Sequence, residues 1–191
     1  MSEKPFTILV VCTGNVCRSP LAGQLLAKAA GHAFADSVVV VSAGTEAPVG
    51  APMSPPAAAI STSLGADPSS HAAQQLTIEQ VRDADLVLVA SRAHRSEVAR
   101  MLPRVARRLF TIREFGRLAQ AVTESAPDAA RSADDLRELV AKAVALRGYL
   151  SPVQPELDDI VDPIGRSDRT YARMAKELVP AVNAATALLF R

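Results

Sequence analysis

Residues 6–20 read Phe6-Thr7-Ile8-Leu9-Val10-Val11-Cys12-Thr13-Gly14-Asn15-Val16-Cys17-Arg18-Ser19-Pro20, and the fold turns on this stretch. The apolar run 6–11 predicts a buried strand. A helical pattern leaves at Leu21 and runs through Leu25, Leu26 and Ala29, with Gly31 as its stop. Pro20 suits a first helical position, where a missing N–H costs nothing. A strand that ends in a glycine-containing turn and restarts as a helix aims several unpaired backbone N–H groups at one spot. With the positive end of the helix dipole they make an anion site. Cys12 starts this cradle, and Arg18, a bidentate partner for phosphate oxygens, ends it. A thiol in such a field is expected in its nucleophilic, deprotonated form. Residues 12–18 therefore predict a phosphate-binding loop with its own nucleophile, to which Thr13, Gly14, Asn15, Val16, Cys17 and Arg18 all contribute.

Outward from the loop, strand and helix patterns alternate. Ser37-Val38-Val39-Val40-Val41-Ser42 is a β-branched run of the kind found in strands covered on both faces. It ends in Ala43-Gly44-Thr45, and a proline-rich connection leads to a helix over 57–64. Residues 85–90 and 108–112 supply a third and a fourth strand. This alternation predicts an α/β fold, a four-stranded parallel sheet with helices on both sides, and ligands bind such sheets at the carboxyl ends of the strands. Residues 113–157 are less regular. One helix is clear in them, capped by Ser132 with Asp135 at the capping-box distance, while 124–131 reads as a turn or exposed loop. A last helix starts near Asp168 with an apolar stripe from Tyr171 to Leu189, and Pro180 is expected to kink or divide it.

The chain has 191 residues, 49% hydrophobic and 21% charged, with net charge +1. It reads as a single domain over 1–191, and no global field argues for nucleic acid or an acidic membrane. Arg92, His94, Arg95, Arg100, Arg104, Arg107 and Arg108 are dense, but their amphipathic helix reads as a solvated or protein-binding face. Both Cys lie in one loop, which suits catalytic or redox thiols in a reducing compartment. No signal peptide or membrane-spanning run is visible, so the expected location is cytoplasmic. The three His and two Cys offer no zinc spacing, and no metal or cofactor is expected.

The string at 12–20 resembles the signature loop of the low-molecular-weight protein tyrosine phosphatases, a family that includes some arsenate reductases and protein-arginine phosphatases. The resemblance spans 6–112 and 157–190 and implies a three-layer αβα, flavodoxin-like fold. Residues 113–157 are then an enlarged connection, either an added helical cover or a partner surface. Members carry a late Asp-Pro pair whose Asp protonates the leaving oxygen. Asp162-Pro163 matches it, with Asp158 and Asp159 as runners-up. By the same resemblance Ser19 bonds the nucleophile, Ser42 helps hold Asn15, and His71 is a structural hydrogen-bonder. Cys17 is either a redox partner that protects Cys12 or a small core thiol.

The implied reaction is metal-free hydrolysis of a phosphomonoester through a cysteinyl-phosphate, with Cys12 as nucleophile, Arg18 on the equatorial oxygens and Asp162 as acid, then base. The expected substrate is a phosphorylated protein, phosphotyrosine first, or a small phosphomonoester. Tyrosine-specific members place an aromatic residue after Asp-Pro and another in the loop after Ser-Ala-Gly-Thr. Here those places read Ile164 and Glu46-Ala47-Pro48-Val49. Arginine-phosphatase members carry Thr where this chain has Val16. Two rival readings are an arsenate reductase using a low-molecular-weight thiol, since no Cys follows Cys17, and a non-catalytic phosphate-binding regulatory module.

Overall fold

The computed structural model describes residues 4–31, 34, 37–125, 130–149 and 153–191. Strands β1 (Phe6–Cys12), β2 (Val38–Gly44), β3 (Leu86–Val89) and β4 (Leu109–Thr111) form one parallel sheet in the order β2-β1-β3-β4. The register pairs Cys12 with Gly44, Val11 with Val89 and Val89 with Thr111, so the carboxyl ends share one edge. Within each apolar run the side chains alternate between two cores. Ile8, Val10, Leu86, Leu88 and Phe110 meet α1 (Arg18–Ala30), α2 (Pro55–Ser63), α5 (Ile112–Ser125), α6 (Ala133–Leu146) and α7 (Asp168–Leu189). Leu9, Val11, Val87, Val89 and Leu109 meet α3 (Ile78–Asp83) and α4 (Arg92–Met101) through Val81 and Val98. This is the three-layer αβα arrangement. Each such side chain contributes about 1.5–3 kcal/mol by full burial.

Three elements depart from expectation. β2 is an outer strand and is not covered on both faces: Val39 is 41% exposed and Val40 and Val41 are half-buried. Its valines reflect the fit of β-branched side chains to a pleated surface. Pro20 is the third residue of α1, after the N-cap Cys17, a position whose N–H has no helical partner either. Pro180 lies inside α7, which runs through it undivided. The buried stripe on both sides, Met174, Leu178, Val182 and Ala185 among it, outweighs the roughly 3 kcal/mol an interior proline costs.

The connection 113–157 holds two helices where one was expected. The Ser132–Asp135 capping box opens α6. α5 begins at the residue after β4 and buries Phe115, Leu118, Ala119 and Val122. Glu124 and Ser125 belong to it rather than to a loop, and residues 126–129 lie outside those described. Gly116 lets α5 approach α7 closely, since a methyl there would lie 2.8 Å from the Ala181 Cα. α6 crosses the amino-terminal ends of the strands. Arg137 donates to the carbonyl of Lys4 at 2.9 Å and pairs with Asp85 at 3.0 Å, while Arg147 pairs with Glu114 at 2.8 Å and donates to the Leu109 carbonyl. This helix thus covers the end of the sheet opposite the loop over residues 12–18.

Candidate active site

β1 delivers Cys12 to the carboxyl edge of the sheet, and α1 begins at Arg18. Among the described residues nothing accepts a hydrogen bond from the backbone N–H of Gly14, Asn15, Val16 or Cys17. The N-cap Cys17 makes no side-chain cap bond either. Those donors are left for an anion. Gly44, beside Cys12 in the sheet, permits the turn: a methyl there would overlap the Thr13 carbonyl oxygen and sit 2.9 Å from the Asn15 nitrogen.

Asn15 is the pivot. It is fully buried and takes φ of 52°, a left-handed conformation that Asn tolerates better than most residues. Its amide donates to Ser19 Oγ at 2.9 Å and Ser42 Oγ at 2.8 Å, and its Oδ1 accepts from the Gln74 N–H at 2.9 Å. Its carbonyl lies 2.7 Å from His71 Nε2, which must therefore carry a proton. Ser19 Oγ stands 3.0 Å from Cys12 Sγ. That oxygen accepts from Asn15, and its own proton has two acceptors, the sulfur at 3.0 Å and, at 3.4 Å, the Ala43 carbonyl.

Arg18 is 5% exposed. Its Nη2 pairs with Asp162 Oδ2 at 2.6 Å and donates to Thr13 Oγ1 at 3.4 Å, and its Nη1 donates to the Ile160 carbonyl at 3.4 Å. Its Nε has no partner among the described residues. Asp162 arrives on a segment fixed at several points: Ile160 N–H donates to the Ala90 carbonyl, the Asp159 carboxylate accepts from the Arg92 N–H, and Val161 N–H donates to Glu177. α5 adds two more ties, Arg117 to Asp158 and Arg113 to the Asp159 carbonyl. The runners-up Asp158 and Asp159 are thus engaged in holding the loop.

The structure brings Cys12, Thr13, Gly14, Val16, Cys17, Arg18, Asp162 and Ile164 around one pocket of about 110 Å³. That is roughly the liquid volume of four waters, room for a phosphoryl group and little more. Ser19, Ser42 and His71 lie behind it as supports. Cys17 makes contacts with Ser54 Oγ at 3.0 Å and Tyr171 Oη at 3.8 Å, and burial pushes its thiol up.

Sequence reading missed one member. His94, read above only as one cation of a dense segment, is buried under the loop with Nε2 2.9 Å from Thr13 Oγ1 and Nδ1 2.6 Å from Ser91 Oγ. Its signal was position: it stands just past the carboxyl end of β3, the strand beside β1.

Residues 7–128 match the family model for the low molecular weight phosphotyrosine protein phosphatases. The chain belongs to that family. Among curated relatives of this phosphatase family, the probable low molecular weight protein-tyrosine-phosphatase EpsP of Ralstonia solanacearum is 43% identical over 109 residues, 57% of this chain and 72% of the relative. Among solved structures, the tyrosine phosphatase AmsI of Erwinia amylovora superposes with a TM-score of 0.69 at 25% identity, covering 99% of this chain and 96% of that one. The YwlE arginine phosphatase of Geobacillus stearothermophilus gives 0.66 at 25% identity, covering 95% and 91%. The matched family segment ends before Asp162.

Proposed function

We propose that this chain hydrolyses phosphomonoesters through a cysteinyl-phosphate and acts as a protein tyrosine phosphatase. The observation that carries the reading is the convergence of Cys12, Arg18 and Asp162, from opposite ends of the chain, on one phosphoryl-sized pocket. Relatives named as tyrosine phosphatases support the same class.

Arg18 is engaged by Asp162. An incoming phosphate dianion offers Arg18 a more highly charged partner and displaces the carboxylate, which takes up a proton from solvent as it turns toward the leaving group. Cys12 sulfur attacks phosphorus while Ser19 donates to it. The loop N–H groups and the guanidinium stabilise the equatorial oxygens. Asp162 gives its proton to the leaving oxygen as the P–O bond breaks, then takes one from the water that releases inorganic phosphate. Cys17, kept as a thiol, takes no step in this cycle. The proposed setting is the cytoplasm and the proposed substrate a phosphorylated protein; among the described residues no helix is long and apolar enough to cross a membrane.

Turnover of p-nitrophenyl phosphate by wild type, Cys12→Ser and Asp162→Asn tests this. The first substitution abolishes turnover. The second lowers kcat by about 100-fold, the usual worth of a general acid, yet tightens binding of inorganic phosphate because Arg18 loses its competing carboxylate. Wild-type turnover in Cys12→Ser rules the mechanism out. Arsenate-dependent thiol oxidation in place of ester hydrolysis would identify the reductase instead.

A further inference from the structure

We propose that His94 is a positioning residue for the phosphate loop, its Nε2 accepting the Thr13 hydroxyl proton so that the Thr13 oxygen faces Arg18. The inference rests on the phosphatase reading of this pocket. His94 is 7% exposed and is held from both ring nitrogens, by Thr13 at 2.9 Å and Ser91 at 2.6 Å. Burial first, and the nearby Arg18 charge second, push its pKa down to about 4 against the opposing pull of Asp162 and Asp159, so the ring is neutral near pH 7. A neutral imidazole has one donor and one acceptor.

The tautomer follows from the neighbours. Thr13 Oγ1 already accepts from Arg18 Nη2 at 3.4 Å. Were Nε2–H the donor, the Thr13 oxygen would take two donors, and no described group would remain to accept its own proton. With the proton on Nδ1 the hydroxyl beside the cation is the satisfied one: Arg18 donates to Thr13, Thr13 donates to His94 Nε2, and His94 Nδ1–H donates to Ser91, a half-buried residue whose own proton is left to solvent. Ser91 also accepts from the His94 backbone N–H as the N-cap of α4. One chain of donors thus runs from the first turn of α4 to the guanidinium at the pocket floor. Each bond in such a chain polarises the next, and together they hold Arg18 in register before phosphate arrives.

Two replacements separate positioning from mere packing. A Gln at 94 can place its carbonyl oxygen where Nε2 stands and keep the Thr13 bond, whereas an Asn reaches only as far as Nδ1 and keeps the Ser91 bond. On p-nitrophenyl phosphate we expect His94→Asn to lose about tenfold in kcat/KM and to weaken inhibition by inorganic phosphate in proportion, the usual scale for one lost hydrogen bond. His94→Gln stays close to wild type, and in a Thr13→Val background neither substitution costs anything further. Equal effects of Asn and Gln, or a full further loss in Thr13→Val, would overturn the assignment. Nitrogen NMR of wild type tests it without any variant: the expected spectrum has Nδ1 protonated and Nε2 bare, and the reverse tautomer refutes it. If wild type does not turn over the ester, the phosphatase reading falls alone, because the tautomer and the phosphate affinities still judge His94.

Discussion

Around the mouth of the pocket the side chains are aliphatic. Ile164, which lines it, is 53% exposed, and Pro48 lies beside Gly14. A phenyl ring seated above Cys12 would meet Ile164 without the offset or edge contacts that a second ring gives, worth about 0.5–1.5 kcal/mol. Replacing Ile164 by Phe should therefore raise kcat/KM for phenyl phosphate by about three- to tenfold and leave an alkyl phosphate unchanged. Parallel kinetics on the two esters measure it. At this scale the loop itself was plain in the sequence, since Cys12, Asn15, Arg18 and Ser19 lie within eight consecutive residues and act locally. His94 was not. Its role comes from a contact with Thr13, 81 positions away, and no local pattern distinguishes a buried imidazole from the arginines that flank it.

α5 links the connection 113–157 to the segment that carries Asp162. Its Arg117 and Arg113 bind the segment that presents Asp162, and its Gly116 seats it against α7. Arg117→Ala frees Asp158 and loosens the approach of the acid to the leaving group. We expect kcat to fall by about tenfold with KM nearly unchanged, because proton donation is needed in the transition state more than in binding; steady-state kinetics with a poor leaving group reads this directly. Strand positions were legible because the apolar runs are short, bounded by turn residues and rich in β-branched side chains, which together decide against a buried helix. α5 escaped although Thr111 and Glu114 form a capping box, because the cap residue is itself the last residue of β4 and the signal is hidden inside a strand pattern. α3 escaped although Thr77 and Gln80 form a capping box, because only six residues follow the cap and too little periodicity remains.

Over the whole molecule, the sheet order sets the chemistry. Placing β1 between β2 and β3 puts the loop after Cys12 between Gly44 on one side and the Ser91–His94 turn on the other. α7 and the segment before it then return Asp162 to Arg18, about 150 residues from Cys12. That closure depends on packing between distant segments. The sequence allowed it to be anticipated only through the family resemblance of Asp162-Pro163, whereas the parallel sheet and its active edge follow from the alternation of strands and helices. α6 guards the opposite end of the sheet and leaves the pocket open. The central claim is that phosphorus passes through the sulfur of Cys12. Rapid acid quench during turnover of p-nitrophenyl phosphate, followed by mass spectrometry of the peptide holding Cys12 and Cys17, tests it most directly. The predicted result is one phosphoryl group on Cys12 in wild type and none in Cys12→Ser; sustained turnover with Cys12 never phosphorylated would contradict it.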